Sequence, residues 1–518
     1  MNDCVVSSAP SAGAGRSDRQ EGGTIAVWAL ANGSRAIDLR AAVTRNRVIA
    51  AAALALSAAL VITLPPTPVT VIAAAIATLA LAVDRRLGPL PAALLVALTL
   101  PWGRGADTLT FEIAGLPLRP HDAVIAIGML GTLPVLVRRR PTLSPTLVLL
   151  AILLALGVVA VVVGVLRDNA LRDVFRDIRW WLFYGVAILA LFGGTTRPKL
   201  LRGLLIGMTL FSILVVVAAL LPAFPGGLKD QELLYDRGTL RMQFGNSAFL
   251  LPAIAYVAWA VLTRRRLVDA GLLGLLIGAV ILSLTRTSIG ASALVLGLVC
   301  LSTWWSSRRA GHLPRRIVGD VARLAVIASI AFVVGLAVDI AGTPPPAQVA
   351  TSDGSGEAPI DRIFFQDDRS DIGSLAVGRF PSYRAAAAVI VANPVFGAGM
   401  GSLTVVEYAY SSARADTIGQ SPGVDNAYLT VGLKTGIPGM IVLGLLVLTS
   451  LLVAIRRGGP VARWYVPAWI GLIILSMTQA YAVSLYGPFA FALMLVYPCL
   501  QRGSSVERPV APARTGSA

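Results

Sequence analysis

The chain has 518 residues, of which 56% are hydrophobic and only 14% are charged. A soluble globular domain carries about 25% charged residues, and the mean hydropathy of +0.75 departs from such a domain in the same direction. This composition excludes an ordinary soluble enzyme and predicts an integral membrane protein.

The formal net charge of +17 would fit a nucleic-acid-binding protein if the basic residues formed one patch. They lie instead mainly in short loops between alternate apolar runs, which indicates membrane topology and no nucleic-acid partner. The three cysteines (Cys4, Cys300 and Cys499) are far apart, and only two histidines are present. These numbers predict neither a disulfide framework nor a histidine-based metal site.

Residues 1–46 are polar and rich in arginine, which predicts a disordered cytoplasmic tail. No signal-peptide pattern opens the chain, so the first apolar run, near Val48, is predicted to be an uncleaved membrane anchor.

A membrane-spanning helix needs about 20 mostly apolar residues, and we expect an all-α polytopic bundle of about 12–14 such helices. The predicted spans are 48–64, 67–83, 88–100, 121–137, 145–166, 180–194, 199–221, 245–262, 270–285, 288–305, 324–341, 437–455, 465–483 and 485–500.

Basic residues favour the cytoplasmic side of a membrane. With the N-terminus inside, the basic clusters Arg138–Arg140, Arg264–Arg266 and Arg456–Arg457 all fall on that side, and the chain ends there as well. We therefore expect a multi-pass protein of the plasma or inner membrane with both termini in the cytoplasm. The predicted regions are a tail (1–46), a helix bundle (47–341), an extracytoplasmic loop with short helices (342–436), C-terminal transmembrane helices (437–501) and a second tail (502–518).

Several basic residues are predicted to lie on the extracytoplasmic side, although basic residues favour the cytoplasmic side. In the segment Arg167–Arg179, apolar residues recur at helical spacing, which predicts an amphipathic helix in the membrane interface. The residues Arg172, Asp173, Arg176 and Asp177 are then expected to face water or lipid headgroups.

Two further outside segments carry arginines next to predicted spans. Arg237 and Arg241 precede a span and share one face if their segment is helical, where they could hold a phosphate pair through paired hydrogen bonds. Arg286 lies between two apolar runs and is either a hairpin tip that reaches headgroups or an anion ligand.

In the large loop, Arg379 and Arg384 flank a helix that is predicted to begin at Pro381 and to stop before Asn393-Pro394. The glycine-rich stretch 397–401 lacks the lysine and the preceding strand of a phosphate-binding loop, so a tight turn is expected. Asp425 opens the next helix, as an N-cap, as a functional acid, or as both.

At these residues the chain resembles the superfamily of O-antigen ligases and O-antigen polymerases, which are bacterial membrane glycosyltransferases. The resemblance covers about 235–455, and before that only the general spacing of spans is similar. The residues that carry it are Arg237, Arg241 and Asn246; Thr285 and Arg286; Arg384, Asn393, Pro394, Gly397 and Gly399; and Asp425, Asn426, Tyr428, Leu429, Gly436, Ile437 and Gly439.

The resemblance implies an outward-facing site in which arginines hold the diphosphate of a polyprenyl-linked glycan while a base deprotonates an acceptor hydroxyl, with inversion and without a metal, cofactor or nucleotide sugar. It assigns catalytic roles to Asp425, Arg384 and Arg286, and substrate binding to Arg237, Arg241, Arg379, Asn426 and Tyr428. The family often has His-Asn where this chain has Asp425-Asn426, which weakens the transfer of the base role but not that of the arginines.

Two alternatives stay open at this point. A transporter or lipid-glycan flippase would explain the bundle, although such proteins often carry internal repeats and charges near the bilayer midplane, and the sequence has no convincing repeat. A scaffold would explain the bundle but not the outside arginines. The sequence does not distinguish ligase from polymerase, and it does not give the sugar, the acceptor or the oligomeric state.

Overall fold

The computed structural model describes residues 87–99, 111–113, 116–118, 120–134, 144–220, 247–283, 286–309, 315–342, 380–407, 418–421, 423–424, 426–478 and 487–500. Both predicted tails, the predicted spans 48–64 and 67–83, and the loop 222–244 lie outside these ranges.

The described chain is almost entirely helical, as predicted. The first helices are α1 (Pro89–Thr99), α2 (Pro120–Leu130), α3 (Pro145–Leu166), α4 (Leu171–Leu182), α5 (Gly185–Phe192), α6 (Arg197–Leu220) and α7 (Ser247–Arg264). They are followed by α8 (Leu267–Leu282), α9 (Arg286–Arg309), α10 (Arg315–Gly342), α11 (Phe380–Ala392), α12 (Ala427–Arg457), α13 (Gly459–Thr478), α14 (Gly487–Val496) and a 3₁₀ turn (Tyr497–Cys499).

Two short hairpins were not predicted. Strand β1 (Phe111–Ile113) pairs antiparallel with β2 (Leu116–Leu118), and β3 (Thr404–Glu407) pairs antiparallel with β4 (Ile418–Ser421). In the second hairpin, Thr404 lies opposite Ser421 and Glu407 opposite Ile418. Both hairpins lie in polar connections between helices, where an apolar-run criterion gives no signal.

Six helices among the described residues are long and apolar enough to cross a membrane. They are Pro145–Leu166, Arg197–Val217, Thr287–Arg308, Val318–Val338, Ala427–Arg457 and Gly459–Thr478. Five shorter apolar helices accompany them in the described ranges. This arrangement confirms a polytopic helix bundle, while the total of about 12–14 spans stays a prediction.

The outer surface of the bundle is apolar. On α12, exposed side chains recur every three or four residues and form one stripe, whose members are Ile441, Leu445, Leu448, Leu452 and Ile455. Intervening residues such as Leu446 and Ser450 are buried. Such an outward-facing apolar stripe is expected for a helix in a membrane. Lipid tails are as apolar as these side chains, so the side chains gain nothing by packing between helices instead. The chain is therefore a multi-pass membrane protein.

The core lies around α7, α13 and α14. Nearly every residue of α7 from Phe249 to Leu262 is buried, and all of α14 is buried. Ser450 and Tyr465 are paired in this core, since Ser450 Oγ lies 2.5 Å from Tyr465 Oη and donates to the Leu495 carbonyl at 2.8 Å. Such pairing is required because bilayer and core offer no water to unpaired polar groups.

Helix α4 corrects one sequence-based expectation. Trp181 Nε1 donates to the carbonyl of Leu153 at 2.8 Å, and Leu153 lies about 20 Å below the C-terminal end of α3 at 1.5 Å per residue. Helix α4 therefore runs back alongside α3 and continues into α5, so it does not lie flat in the interface. The buried face of α4 carries Val174, Asp177 and Trp181.

The predicted placement of Asp177 towards water or headgroups was therefore wrong. Asp177 is buried, while Leu171 and Phe175 of the same helix are exposed. Periodicity identifies the apolar stripe of a helix but does not say whether that stripe faces protein or lipid. On α4 the apolar stripe is divided, with Leu171 and Phe175 exposed and Val174 buried.

Helix α12 begins ten residues before the predicted span 437–455. Asn426 is its N-cap, accepting hydrogen bonds from the backbone N–H groups of Tyr428 and Leu429 at 3.0 Å each. The helix continues past Gly436, which has φ 73° and kinks it. Gly436 also has ψ −171°, which is not helical, so the chain bends sharply at the predicted boundary between residues 436 and 437.

Candidate functional site

Three elements meet at the carbonyl of Met477, near the C-terminal end of α13. A carbonyl in the last turn of a helix has no partner within that helix. Asn426 Nδ2 donates to this carbonyl at 3.1 Å, and Tyr383 Oη donates to it at 3.3 Å. These two bonds fix the start of α12 and the first turn of α11 against the end of α13.

Helix α9 brings the Arg286 backbone to the same end of the bundle. Ser302 Oγ donates to the Arg463 carbonyl at 2.8 Å, and a Cβ placed on Gly471 would lie 2.4 Å from Val295 Cγ2. Residue numbers therefore fall along α9 as they rise along α13, so the two helices are antiparallel. Arg286, the first residue of α9, is consequently level with the last turn of α13.

The Arg384 side chain is exposed and forms no hydrogen bond or ion pair within the described ranges. It follows Tyr383, whose hydroxyl donates to Met477, so the Arg384 backbone lies at the end of α11 that is joined to α13. Helix α11 runs from Phe380 to Ala392, as the positions of Pro381 and Asn393-Pro394 predict. An unpaired, exposed guanidinium is free to bind an anion.

The backbone on both sides of residue 425 is fixed. Thr430 Oγ1 accepts from Val424 N–H at 3.1 Å and donates to the Val424 carbonyl at 3.0 Å. Asn426 caps α12, so the capping role that the sequence offered to Asp425 belongs to Asn426. Asp425 itself is outside the described residues.

Tyr428 is half-buried in the first turn of α12. It lies within electrostatic reach of Tyr184, at the junction of α4 and α5. The predicted ligands Arg237, Arg241 and Arg379 lie outside the described residues, and of Arg286 only the backbone is described. The structure thus brings together Arg384, Asn426, Tyr428 and the Arg286 backbone, and leaves the other predicted residues untested.

Two buried hydroxyls near this end have no hydrogen-bond partner within the part of the chain that the structure describes. They belong to Ser288, in the first turn of α9, and Ser476, one residue before Met477. A buried hydroxyl normally has a partner, so both are available to a water or a bound polar group. Among the described residues no cluster of three histidine, cysteine or carboxylate side chains could hold a metal ion.

The glycine-rich stretch after α11 is a tight turn, as predicted, and it packs against the C-terminal half of α3. Met400 N–H donates to the Ala160 carbonyl at 2.8 Å. Gly399 has φ 83°, and a Cβ there would lie 2.4 Å from the backbone nitrogen of Gly164. Only glycine permits this approach, because it tolerates positive φ and has no Cβ.

Two side chains in the connection between α3 and α4 bind the same turn. Arg167 donates to Asn393 Oδ1 at 2.6 Å and to the Gly397 carbonyl at 3.0 Å. Asn169 Nδ2 donates to the Met400 carbonyl at 2.8 Å. The motif Asn393-Pro394-x2-Gly397-x-Gly399 is therefore an anchoring turn that fixes the end of α11.

A buried ion pair completes this anchor. Lys434 Nζ lies 2.7 Å from Asp177 Oδ2, and both side chains are almost fully buried. Asp177 Oδ2 also accepts from Gly401 N–H at 2.7 Å, and Lys434 donates to the Ser402 carbonyl at 2.5 Å. Sequence reasoning missed this pair, although a lysine within an apolar helix is a known signal of function in membranes.

A family model described as O-antigen ligase matches residues 270–444. The matched region runs from α8 into the middle of α12. It contains Arg286, Arg384 and Asn426, whose amide donates to the Met477 carbonyl. No curated protein matches the chain. Over residues 270–444 the chain is therefore similar to the O-antigen ligase family, and the chain as a whole is a multi-pass membrane protein.

Proposed function

We propose that this protein transfers or polymerises a polyprenyl-diphosphate-linked glycan onto an acceptor hydroxyl at the outer face of the plasma or inner membrane. The observation that carries the proposal is the exposed guanidinium of Arg384, which has no partner among the described residues and follows Tyr383 in the first turns of α11, where Tyr383 joins α11 to the end of α13. The family match over the same region supports the reaction class.

The proposed role of the arginines follows from the charge of the leaving group. When the bond between the anomeric carbon and the phosphate oxygen breaks, its electron pair stays on the diphosphate. Arg384 and Arg286, with Arg237, Arg241 and Arg379, would stabilise that charge through charge-assisted and bidentate hydrogen bonds. Removing one such donor typically costs about 10²–10³ in turnover.

Asp425 is the proposed base. The acceptor hydroxyl would give its proton to the Asp425 carboxylate while its oxygen bonds to the anomeric carbon from the face opposite the diphosphate, which inverts that centre. A free aspartate has a pKa of about 3.9 and is therefore a weak base at neutral pH. Burial would raise the pKa of Asp425 and make its carboxylate a stronger base. Asn426 and Tyr428 would contact the acceptor or the donor sugar.

Alanine replacement of Arg241, Arg286 or Arg384, in cells that make the glycan, tests this function. Each change is expected to abolish long glycan, while Arg456→Ala should leave it unchanged. Arg456 is a suitable control because it is exposed at the far end of α12, about 45 Å along the helix from Asn426. Normal glycan length and amount in all three variants would overturn the proposal.

A reconstituted assay separates the enzyme from the flippase alternative. Purified protein in liposomes should extend or transfer the glycan with no movement of the lipid-linked donor between leaflets. Donor movement without glycan transfer would favour the flippase.

A further inference from the structure

The Asp177–Lys434 pair joins three parts of the chain that are distant in sequence. Asp177 belongs to α4, Lys434 belongs to α12 just before its kink, and both bind the turn that follows α11. Arg176 adds a longer contact of 3.9 Å to Asp177 and an ion pair of 2.9 Å to Asp173. The pair is therefore the centre of a polar network inside an otherwise apolar bundle.

Such a network is costly unless it is complete. Two charges taken out of water regain their hydration energy only if the geometry is good and the remaining hydrogen-bonding capacity is used. Here Asp177 accepts from Gly401 N–H and Lys434 donates to the Ser402 carbonyl in addition to their mutual contact. Loss of Asp177 leaves Lys434 buried without its carboxylate, and loss of Lys434 leaves Asp177 with only the longer contact to Arg176.

The network is linked to Arg384 through α11, because the turn that it binds directly follows that helix. The turn holds the C-terminal end of α11, and Tyr383 holds the N-terminal end at Met477. Two backbone hydrogen bonds also join the turn to α12. Ala398 N–H donates to the Leu433 carbonyl at 2.7 Å, and Ile437 N–H donates to the Pro394 carbonyl at 2.8 Å. A shift of the turn would thus move α11 relative to the start of α12.

We propose that Asp177 and Lys434 are positioning residues for glycan transfer: their ion pair locks the turn 393–402 against α3 and α12, and so holds Arg384 beside the capped start of α12. The inference rests on the proposed function of Arg384. Neither residue is proposed to touch the substrate.

Three variants test the lock through turnover per folded molecule, with a polyprenyl-diphosphate-linked oligosaccharide as donor. Asp177→Asn keeps an oxygen for Gly401 N–H but removes the carboxylate that pairs with Lys434, and Lys434→Met leaves Asp177 with only the longer contact to Arg176. A misplacement of about 1 Å can cost about 100-fold in rate, and we expect a loss of that order in each single variant. The double variant has no buried charge and should recover at least about tenfold relative to Lys434→Met.

A cross-linking measurement reports the position of the turn without relying on activity. In a background with Cys4, Cys300 and Cys499 replaced by serine, Arg167→Cys and Asn393→Cys should cross-link rapidly with a short bifunctional thiosulfonate in membranes. Asp177→Asn should slow that reaction several-fold, and the double variant should restore it. A reference pair, Arg265→Cys with Asp320→Cys, lies in a separate contact of 3.1 Å and should react at the same rate in every background.

Each outcome has a separate meaning. Unchanged cross-linking of the Arg167/Asn393 pair in Asp177→Asn would overturn the proposal, and so would equal slowing of the reference pair, which would show general destabilisation. If the first pair alone responds while Arg384→Ala remains fully active, the lock stands as a structural device and the proposed function of Arg384 is the part that fails.

Discussion

At the scale of single residues, the turn after α11 depends on glycines that no other residue can replace. Gly399 has positive φ and sits against the backbone of α3. A side chain there would have to adopt a left-handed conformation, which costs about 1–2 kcal/mol, and would also collide with Gly164. The turn is thus specified by the absence of a Cβ.

Gly399→Ala is accordingly expected to destabilise the purified protein by at least about 2 kcal/mol, with a lower midpoint of thermal unfolding in detergent. Gly274→Ala in α8 is the matched control, because among the described residues no atom outside the neighbouring residues and the local helix backbone lies within 4 Å of its Cβ position. That change should be neutral or stabilise the helix by about 0.5–1 kcal/mol. Equal midpoints for the two variants would refute this account of the turn.

At the scale of elements, the capped start of α12 has two separable functions. The Asn426 side-chain oxygen caps the helix, and its amide nitrogen binds the end of α13. An Asn426→Ala variant loses both interactions, while Asn426→Asp keeps the cap and loses the donor to Met477.

Loss of a cap costs about 0.5–2 kcal/mol, so Asn426→Ala should unfold at a lower temperature than Asn426→Asp. Both should transfer glycan more slowly than the parent protein, because both release α12 from α13 at the proposed site. Thermal unfolding followed by tryptophan fluorescence, with turnover on the same samples, makes the comparison. Full activity in Asn426→Asp would show that the Met477 contact does not position the site.

At the scale of the whole molecule, the lipid-facing surface sets which charges are tolerated. Leu448 lies near the middle of the exposed stripe of α12, and Ile455 lies beside Arg456 and Arg457 at its end. A lysine at the centre of a span costs about 2.5–3.5 kcal/mol on insertion, whereas one near the end reaches the headgroups.

Leu448→Lys should therefore reduce the amount of inserted, folded protein, and Ile455→Lys should not. Fluorescence-detected size-exclusion chromatography of membrane extracts measures both. Equal yields would indicate that this face of α12 contacts protein or water and not lipid.

Much of the bundle follows from the sequence, since apolar runs give the spans and Pro381 with Asn393-Pro394 gives the bounds of α11. The motifs also predict that Arg286, Arg384 and Asn426 share one end of the molecule. The ion pair of Asp177 with Lys434 did not follow, because the two residues are far apart in sequence and single-sequence periodicity carries no information on pairing. The helix start near Asp425 followed from the sequence, since Asn426 caps a helix that begins at Ala427. The burial of Lys434 in that helix did not follow, because it depends on the distant residue Asp177.

The release of polyprenyl diphosphate by purified protein, with Arg384→Ala compared with Arg456→Ala, tests the central claim most directly. We predict that the parent protein and Arg456→Ala release one polyprenyl diphosphate for each glycosidic bond formed, and that Arg384→Ala does so at least about 100-fold more slowly. Release at the parent rate by Arg384→Ala, or bond formation without release of the diphosphate, would contradict it.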